Sequence, residues 1–181
     1  MIGSDHGDST SSEDAFEAGR PRVLFLCSRN AARSQIAEAL LFNLLGAEVV
    51  VASAGATAAM EVDPMTFDVL DDFGIEWRSH RPKSFSEVMA SRWDVVITLC
   101  EEARETCPVL PGFPALAHWP IEDPAAVNGA KNTRNAAFGR VVRQLERRIR
   151  ALVYLLPEMP DHELMEARLA AIDRVDSDGF R

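Results

Sequence analysis

Cys27-Ser-Arg-Asn-Ala-Ala-Arg33-Ser34 is the segment on which the interpretation of this 181-residue chain depends. The apolar run before it, residues 23–26, predicts a buried strand. After it, apolar residues recur at helical spacing, and Gly46 predicts the end of that helix. The segment is therefore predicted to be a tight loop that leads from the end of a strand into the N-terminus of a helix.

Such a loop suits a tetrahedral oxyanion. Backbone N–H groups converge at a helix N-terminus, where the helix dipole adds positive potential. The planar Arg33 guanidinium can bind two oxygens of one anion, and the same field favours the nucleophilic thiolate of Cys27. The alternative is a buried structural cysteine with Arg33 on a helix surface. The residues predicted to surround the anion are Ser28, Arg29, Asn30, Ala31, Ala32, Arg33 and Ser34.

The rest of the chain alternates strand patterns with helix patterns. Strands are predicted at 48–52, 93–99 and 115–119, and a long helical stripe runs from Phe138 to Leu156. This alternation predicts an α/β fold, a three-layer sandwich in which helices flank a four-stranded parallel sheet. Ligands of such sheets bind at the carboxyl ends of the strands. Two further candidate residues, Cys100 and Asp123, follow the third and fourth predicted strands.

Charge divides the chain into three parts. The formal net charge is −9, and most of the acidic excess lies in the two ends. We expect a disordered acidic leader at 1–20, one catalytic domain at 21–156 and an acidic, partly helical extension at 157–181. The nearly neutral body excludes a nucleic-acid footprint, and no apolar run is long enough for a membrane span. The polar start of the chain is not a signal peptide, and three cysteines fit a reducing cytoplasm better than a disulfide scaffold.

A second group of chemically active residues lies between the third strand and the long helix. It consists of Cys100 and Cys107, then His118-Trp119 and Asp123-Pro124. With the Cys-x5-Arg loop, this pattern resembles the thioredoxin-coupled arsenate reductases of the low-molecular-weight protein tyrosine phosphatase superfamily. The resemblance covers roughly residues 21–156. Tyrosine phosphatases of that fold usually carry tyrosines after the Asp-Pro, whereas here the following residues are Ala125 and Ala126.

The resemblance implies that the protein reduces arsenate to arsenite for arsenic detoxification. Cys27 would attack arsenic held in the loop while Asp123 protonates the leaving oxygen. Cys100 and Cys107 would then pass the oxidising equivalents outward as disulfides, and thioredoxin would act as external reductant. No tightly bound cofactor and no metal is expected, and phosphate or sulfate would also fit the loop.

The resemblance also bears on a potassium site. Members of the family that bind potassium use ligands resembling Asn30, Glu38 and Ser53 of this chain. Where those members carry an acidic ligand, this chain has Lys83, so we expect Lys83 to pair with Glu38 in place of a metal. Two smaller expectations concern the loop: Asn30 adopts the left-handed conformation, and Ser34 either donates to Cys27 or caps the helix.

Two other functions remain open from the sequence. The first is a phosphatase that uses the same loop, with Cys100 and Cys107 idle. The second is a non-enzymatic regulator that binds an oxyanion or arsenite through its thiols.

Overall fold

A four-stranded parallel sheet in the order β2-β1-β3-β4 positions the candidate site. A computed structural model describes residues 19–178, with side chains to residue 174; all of the predicted leader except Gly19 and Arg20 lies outside the described residues. The strands are β1 (Arg22–Cys27), β2 (Val50–Gly55), β3 (Val95–Thr98) and β4 (Ala115–His118).

Helices cover both faces of the sheet, which confirms the predicted α/β sandwich. One core cluster joins the sheet to α1, α2 and α5, and a second joins the opposite face to α3 and α4. Within the described residues, no helix combines the length and the apolar character needed to cross a membrane. The helices are α1 (Arg33–Leu45), α2 (Pro64–Asp72), α3 (Phe85–Val88), α4 (Glu101–Thr106), α5 (Lys131–Leu155) and α6 (His162–Asp178).

The structure corrects two predicted boundaries. The second strand was predicted at 48–52, but it is shifted to Val50–Gly55 because the small residues at its end pair with β1 up to Cys27. The long helix begins at Lys131, seven residues before Phe138, because its first two turns are polar and mostly exposed and carry no apolar stripe. In both cases a hydrophobic pattern marks only the buried part of an element.

Helix α6 packs against β4, the edge strand of the sheet. The Glu166 carboxylate accepts a hydrogen bond from the backbone N–H of Leu116 at 2.9 Å, and the indole N–H of Trp119 donates to the carbonyl of Leu169 at 3.0 Å. Met165 and Leu169 of α6 are buried in the larger core cluster. The predicted C-terminal extension thus contributes a helix that covers an exposed strand edge, a common protection against edge-to-edge association.

Candidate active site

The Cys27 loop, residues 27–34, surrounds a buried thiol at the end of β1. The hydroxyl oxygen of Ser34 lies 2.9 Å from the Cys27 sulfur, and the backbone N–H of Asn30 donates to the same sulfur at 3.2 Å. Asn30 has a φ of 50°, which confirms the expected left-handed conformation. The residue at the N-cap of α1 is Ala32, so Ser34 is a partner of the thiol and not the cap.

Backbone contacts turn the carbonyl groups of the loop away from the anion position. The carbonyls of Cys27, Ser28, Arg29 and Ala31 accept hydrogen bonds from N–H groups of residues 56–63 at 2.8 to 3.1 Å. Gly55 permits this close approach, because a Cβ atom there would lie 2.8 Å from the backbone of Arg29 and Asn30. A loop whose carbonyl groups are satisfied on one side can direct its N–H groups to an anion on the other.

Arg33 connects the loop to Asp123, which the sequence placed only in the same crevice. Its buried guanidinium donates to Asp123 Oδ2 and Ser28 Oγ, each at 3.0 Å. Asp123 also accepts from the N–H of Ala125 at 3.1 Å, which fixes the start of a short 3-10 turn, 124–126. A cavity of about 450 Å³ opens here, and its lining includes Cys27, Arg33, Asp123, Ala32 and the exposed Arg29.

A buried network of polar side chains connects the Cys27 loop to Ser53 and Glu38. The Asn30 amide donates to the hydroxyls of Ser34 and Ser53 at 2.8 and 2.7 Å, and Ser53 donates in turn to the carboxylate of Glu38. The Lys83 ammonium lies 3.2 Å from that carboxylate, whose side chain is only 8% exposed. This confirms the predicted Lys83–Glu38 pair. Among residues 19–178, no group of three or more His, Cys, Asp and Glu side chains is arranged to hold a metal.

Two residues of this network, Gln35 and Trp77, were missed by the sequence analysis. The Gln35 amide donates to Asn30 Oδ1 at 3.1 Å and to the carbonyl of Arg81 at 3.0 Å. The Trp77 indole N–H donates to Gln35 Oε1 at 2.8 Å. The fully buried Gln35 side chain thus connects the loop to the irregular stretch 75–83 by hydrogen bonds. The only signal in the sequence is a polar residue beside an apolar stripe.

The remaining predicted site residues, Cys100 and Cys107, flank α4 at its two ends. Both are free thiols and both are partly buried. Cys100 packs against the core cluster that contains Cys27 and also against the cluster on the opposite face, where Cys107 packs. Burial raises the pKa of the Cys107 thiol, which favours its protonated form. Cys100 thus shares one core cluster with Cys27 and the other with Cys107.

Comparison with known proteins identifies the family to which this fold and loop belong. Residues 22–164 match the family described as low molecular weight phosphotyrosine protein phosphatase. The chain belongs to this family. The phosphatase family match extends past α5 into the first residues of α6.

Three members of the low molecular weight phosphatase fold that resemble this chain are arsenate reductases. The arsenate reductase of Halalkalibacterium halodurans is 33% identical over 128 residues, which are 71% of this chain and 91% of that protein. The thioredoxin-dependent arsenate reductase of Corynebacterium glutamicum is 30% identical with a TM-score of 0.64, covering 82% of this chain and 67% of that one. The Archaeoglobus fulgidus arsenate reductase is 33% identical with a TM-score of 0.60, covering 73% and 98%.

The described residues that line the cavity include no aromatic side chain. Ala125 and Ala126 both line the cavity and are exposed there. Neither offers an aromatic surface against which a phosphorylated tyrosine ring can stack. The lining of the cavity therefore offers no aromatic wall for the ring of a phosphorylated tyrosine.

Proposed function

We propose that this protein is a cytoplasmic arsenate reductase in which Cys27 reduces bound arsenate with the help of Cys100 and Cys107, and that thioredoxin resets it. The observation that carries the proposal is the position of Cys100, which contacts both the cluster containing Cys27 and the cluster holding Cys107. Similarity to arsenate reductases at 33% and 30% identity supports the same reaction.

The first step uses the Cys27 loop. The Cys27 thiolate attacks arsenic, an As–O bond breaks, and Asp123 in its protonated form donates a proton to the oxygen that leaves as water. The loop N–H groups and Arg33 stabilise the charge on the remaining oxygens, and this is expected to be the largest catalytic contribution. Arg33 already lies beside Asp123, which supports the assignment of both residues to the same anion.

Formation of one disulfide and one thiol–disulfide exchange follow. Cys100 attacks the Cys27 sulfur, the S–As bond breaks, and its electron pair remains on arsenic, so arsenite leaves and a Cys27–Cys100 disulfide forms. Cys107 then attacks Cys100, which releases Cys27 and leaves a Cys100–Cys107 disulfide for the two thiols of thioredoxin to reduce. A helical segment of seven residues rises about 10 Å, and a disulfide needs Cα atoms within roughly 7 Å. Helix α4 must therefore unwind in the oxidised protein.

The Lys83–Glu38 pair completes the proposal. An ammonium 3.2 Å from a buried carboxylate supplies the charge that a bound cation would otherwise supply. We therefore expect the protein to need no metal ion, and turnover to be independent of potassium.

A Cys107→Ser variant separates this function from the two alternatives. In an assay with arsenate, thioredoxin, thioredoxin reductase and NADPH, the variant is expected to lose multiple turnover. It should retain hydrolysis of p-nitrophenyl phosphate, which needs only the Cys27 loop, whereas the control Cys27→Ser loses both activities. Wild type without any arsenate-dependent NADPH oxidation but with phosphate ester hydrolysis would identify a phosphatase. Arsenite binding without either activity would identify a regulator.

A further inference from the structure

Helix α4, which carries the two relay thiols at its ends, has few attachments to the rest of the protein. Its buried residue is Ala103. Within residues 19–178, one close polar side-chain contact joins α4 to another element: Glu101 Oε2 lies 3.4 Å from His118 Nε2, and the contact becomes an ion pair when the imidazole is protonated. The contacts of Arg104 with Glu101 and of Thr106 with the carbonyl of Glu102 remain inside the helix. Apart from the apolar packing of Ala103, the first turn of α4 is thus held to the sheet by one polar side-chain contact.

His118 is itself fixed from the side of the sheet. It is the last residue of β4 and pairs in register with Thr98 of β3. Its Nδ1 lies 2.9 Å from the Thr98 hydroxyl, which orients the ring so that Nε2 faces Glu101. Thr98 precedes Cys100 by two residues, so one histidine contacts both the strand that leads to Cys100 and the helix that follows it.

The same histidine borders the space beside Cys107. A cavity of about 220 Å³ lies between β4 and α4, and its lining includes Thr98, Arg104, Cys107 and His118. Because Cys107 borders this cavity, its surroundings there change when α4 unwinds and the side chain approaches Cys100. His118 is therefore in contact with the parts of the structure that change when the disulfide forms.

We propose that His118 is a positioning residue for the thiol relay, one that holds α4 folded in the reduced protein through Glu101 and releases it when the Cys100–Cys107 disulfide forms. The inference deepens the proposed function and rests on it. Because the disulfide requires an unwound α4, any contact that stabilises the folded helix favours the reduced pair. Removal of the contact should therefore make the Cys100–Cys107 disulfide more stable and its reduction potential more negative.

The test measures that potential directly. A Cys27→Ser background leaves only Cys100 and Cys107, which are equilibrated with dithiothreitol redox buffers, trapped by alkylation and quantified by mass spectrometry. His118→Asn keeps a polar partner for Thr98 but is too short to reach Glu101. It should raise the equilibrium constant for disulfide formation about threefold, which corresponds to a potential about 14 mV more negative at about 29.6 mV per tenfold change.

Two further variants test whether the shift comes from the Glu101–His118 contact and not from a general loss of stability. Glu101→Gln changes an exposed side chain and should shift the potential by a similar amount, whereas the double variant with His118→Asn should shift it no further. The matched control is His162→Asn on α6, which also faces a glutamate, Glu166, but contacts no part of α4. With Cys27 present, p-nitrophenyl phosphate hydrolysis should stay within twofold of wild type.

The proposal is overturned if His118→Asn and Glu101→Gln leave the potential within 3 mV of the background protein, if their effects add, or if His162→Asn gives the same shift. The measurement uses no arsenate. A protein that fails to reduce arsenate but shows the His118 shift would therefore refute the proposed function and not the role of His118 in holding α4.

Discussion

Replacement of Lys83 by methionine tests whether an ammonium occupies the place of a cation behind the Cys27 loop. The change removes the charge 3.2 Å from Glu38 and leaves a carboxylate whose side chain is 8% exposed. Two unit charges at that distance attract by about 5 kcal/mol at an effective dielectric constant of about 20. Loss of one partner from a buried pair costs about 3–5 kcal/mol. Because the Lys83 side chain is 22% exposed, we expect the lower end of that range.

The predicted loss of about 3 kcal/mol corresponds to a decrease in Tm of roughly 6–12 °C for a domain of this size. Urea unfolding in sodium buffer gives the free energy difference, with Lys131→Met as the matched control. Lys131 pairs with Asp68 at 3.5 Å but is 76% exposed, so its loss should cost below about 0.5 kcal/mol. Glu38→Gln combined with Lys83→Met should recover much of the stability, because it removes the uncompensated charge.

Potassium provides the decisive arm of the experiment. In Lys83→Met, the oxygen atoms of Asn30, Glu38 and Ser53 remain, so added potassium should restore part of the lost stability and activity, whereas sodium should restore less. The wild-type protein should gain neither stability nor activity when potassium is added. A potassium-dependent turnover of wild type, or a Lys83→Met variant no less stable than Lys131→Met, would refute the reasoning.

Three further predictions concern the support of the site. Gln35→Leu should lower kcat for p-nitrophenyl phosphate at least tenfold, because Asn30 and Trp77 both lose a buried partner. Gln144→Leu is the control, and equal kcat values for the two variants would contradict the role of Gln35 in supporting the loop. Gly55→Ala should abolish activity while circular dichroism shows a folded protein, since its Cβ would meet the loop backbone at 2.8 Å; retained activity would contradict the close approach. Burial lowers the pKa of His118 below its usual value, so stability is full above about pH 6.5 and falls as the imidazole is protonated. His118→Gln should flatten this fall in urea titrations between about pH 7 and 5, and an unchanged slope would contradict it.

Residues that act through local spacing could be predicted from the sequence. The Cys-x5-Arg loop and the left-handed Asn30 each follow from a few adjacent residues, and the structure contains both local features. The Lys83–Glu38 pair also followed, but only through a resemblance, because 45 residues separate the two side chains.

Contacts between distant segments could not be predicted in this way. Trp77 lies in an irregular stretch without periodicity, so no pattern indicates which way its indole points or that it reaches Gln35. The apolar stripe of α6 predicted a helix, but its partner depends on which strand is at the edge of the sheet, and strand order is not encoded in any single strand. The Glu101–His118 contact depends on the same pairing of β3 with β4.

The two faces of the sheet explain how one fold can serve both an ester hydrolase and a reductase. The Cys27 loop and α1 belong to one face, and hydrolysis of a phosphate ester would use that loop with Asp123 but neither Cys100 nor Cys107. Hydrolysis transfers no electrons, whereas reduction of an oxyanion needs two. The thiols that would help to supply them, Cys100 and Cys107, flank a short helix packed on the other face. Cys100 contacts both core clusters at the carboxyl edge of the sheet, where an anion would bind. A reductase can therefore arise from this scaffold without change to the anion site, provided that the helix between Cys100 and Cys107 is weakly held and can unwind.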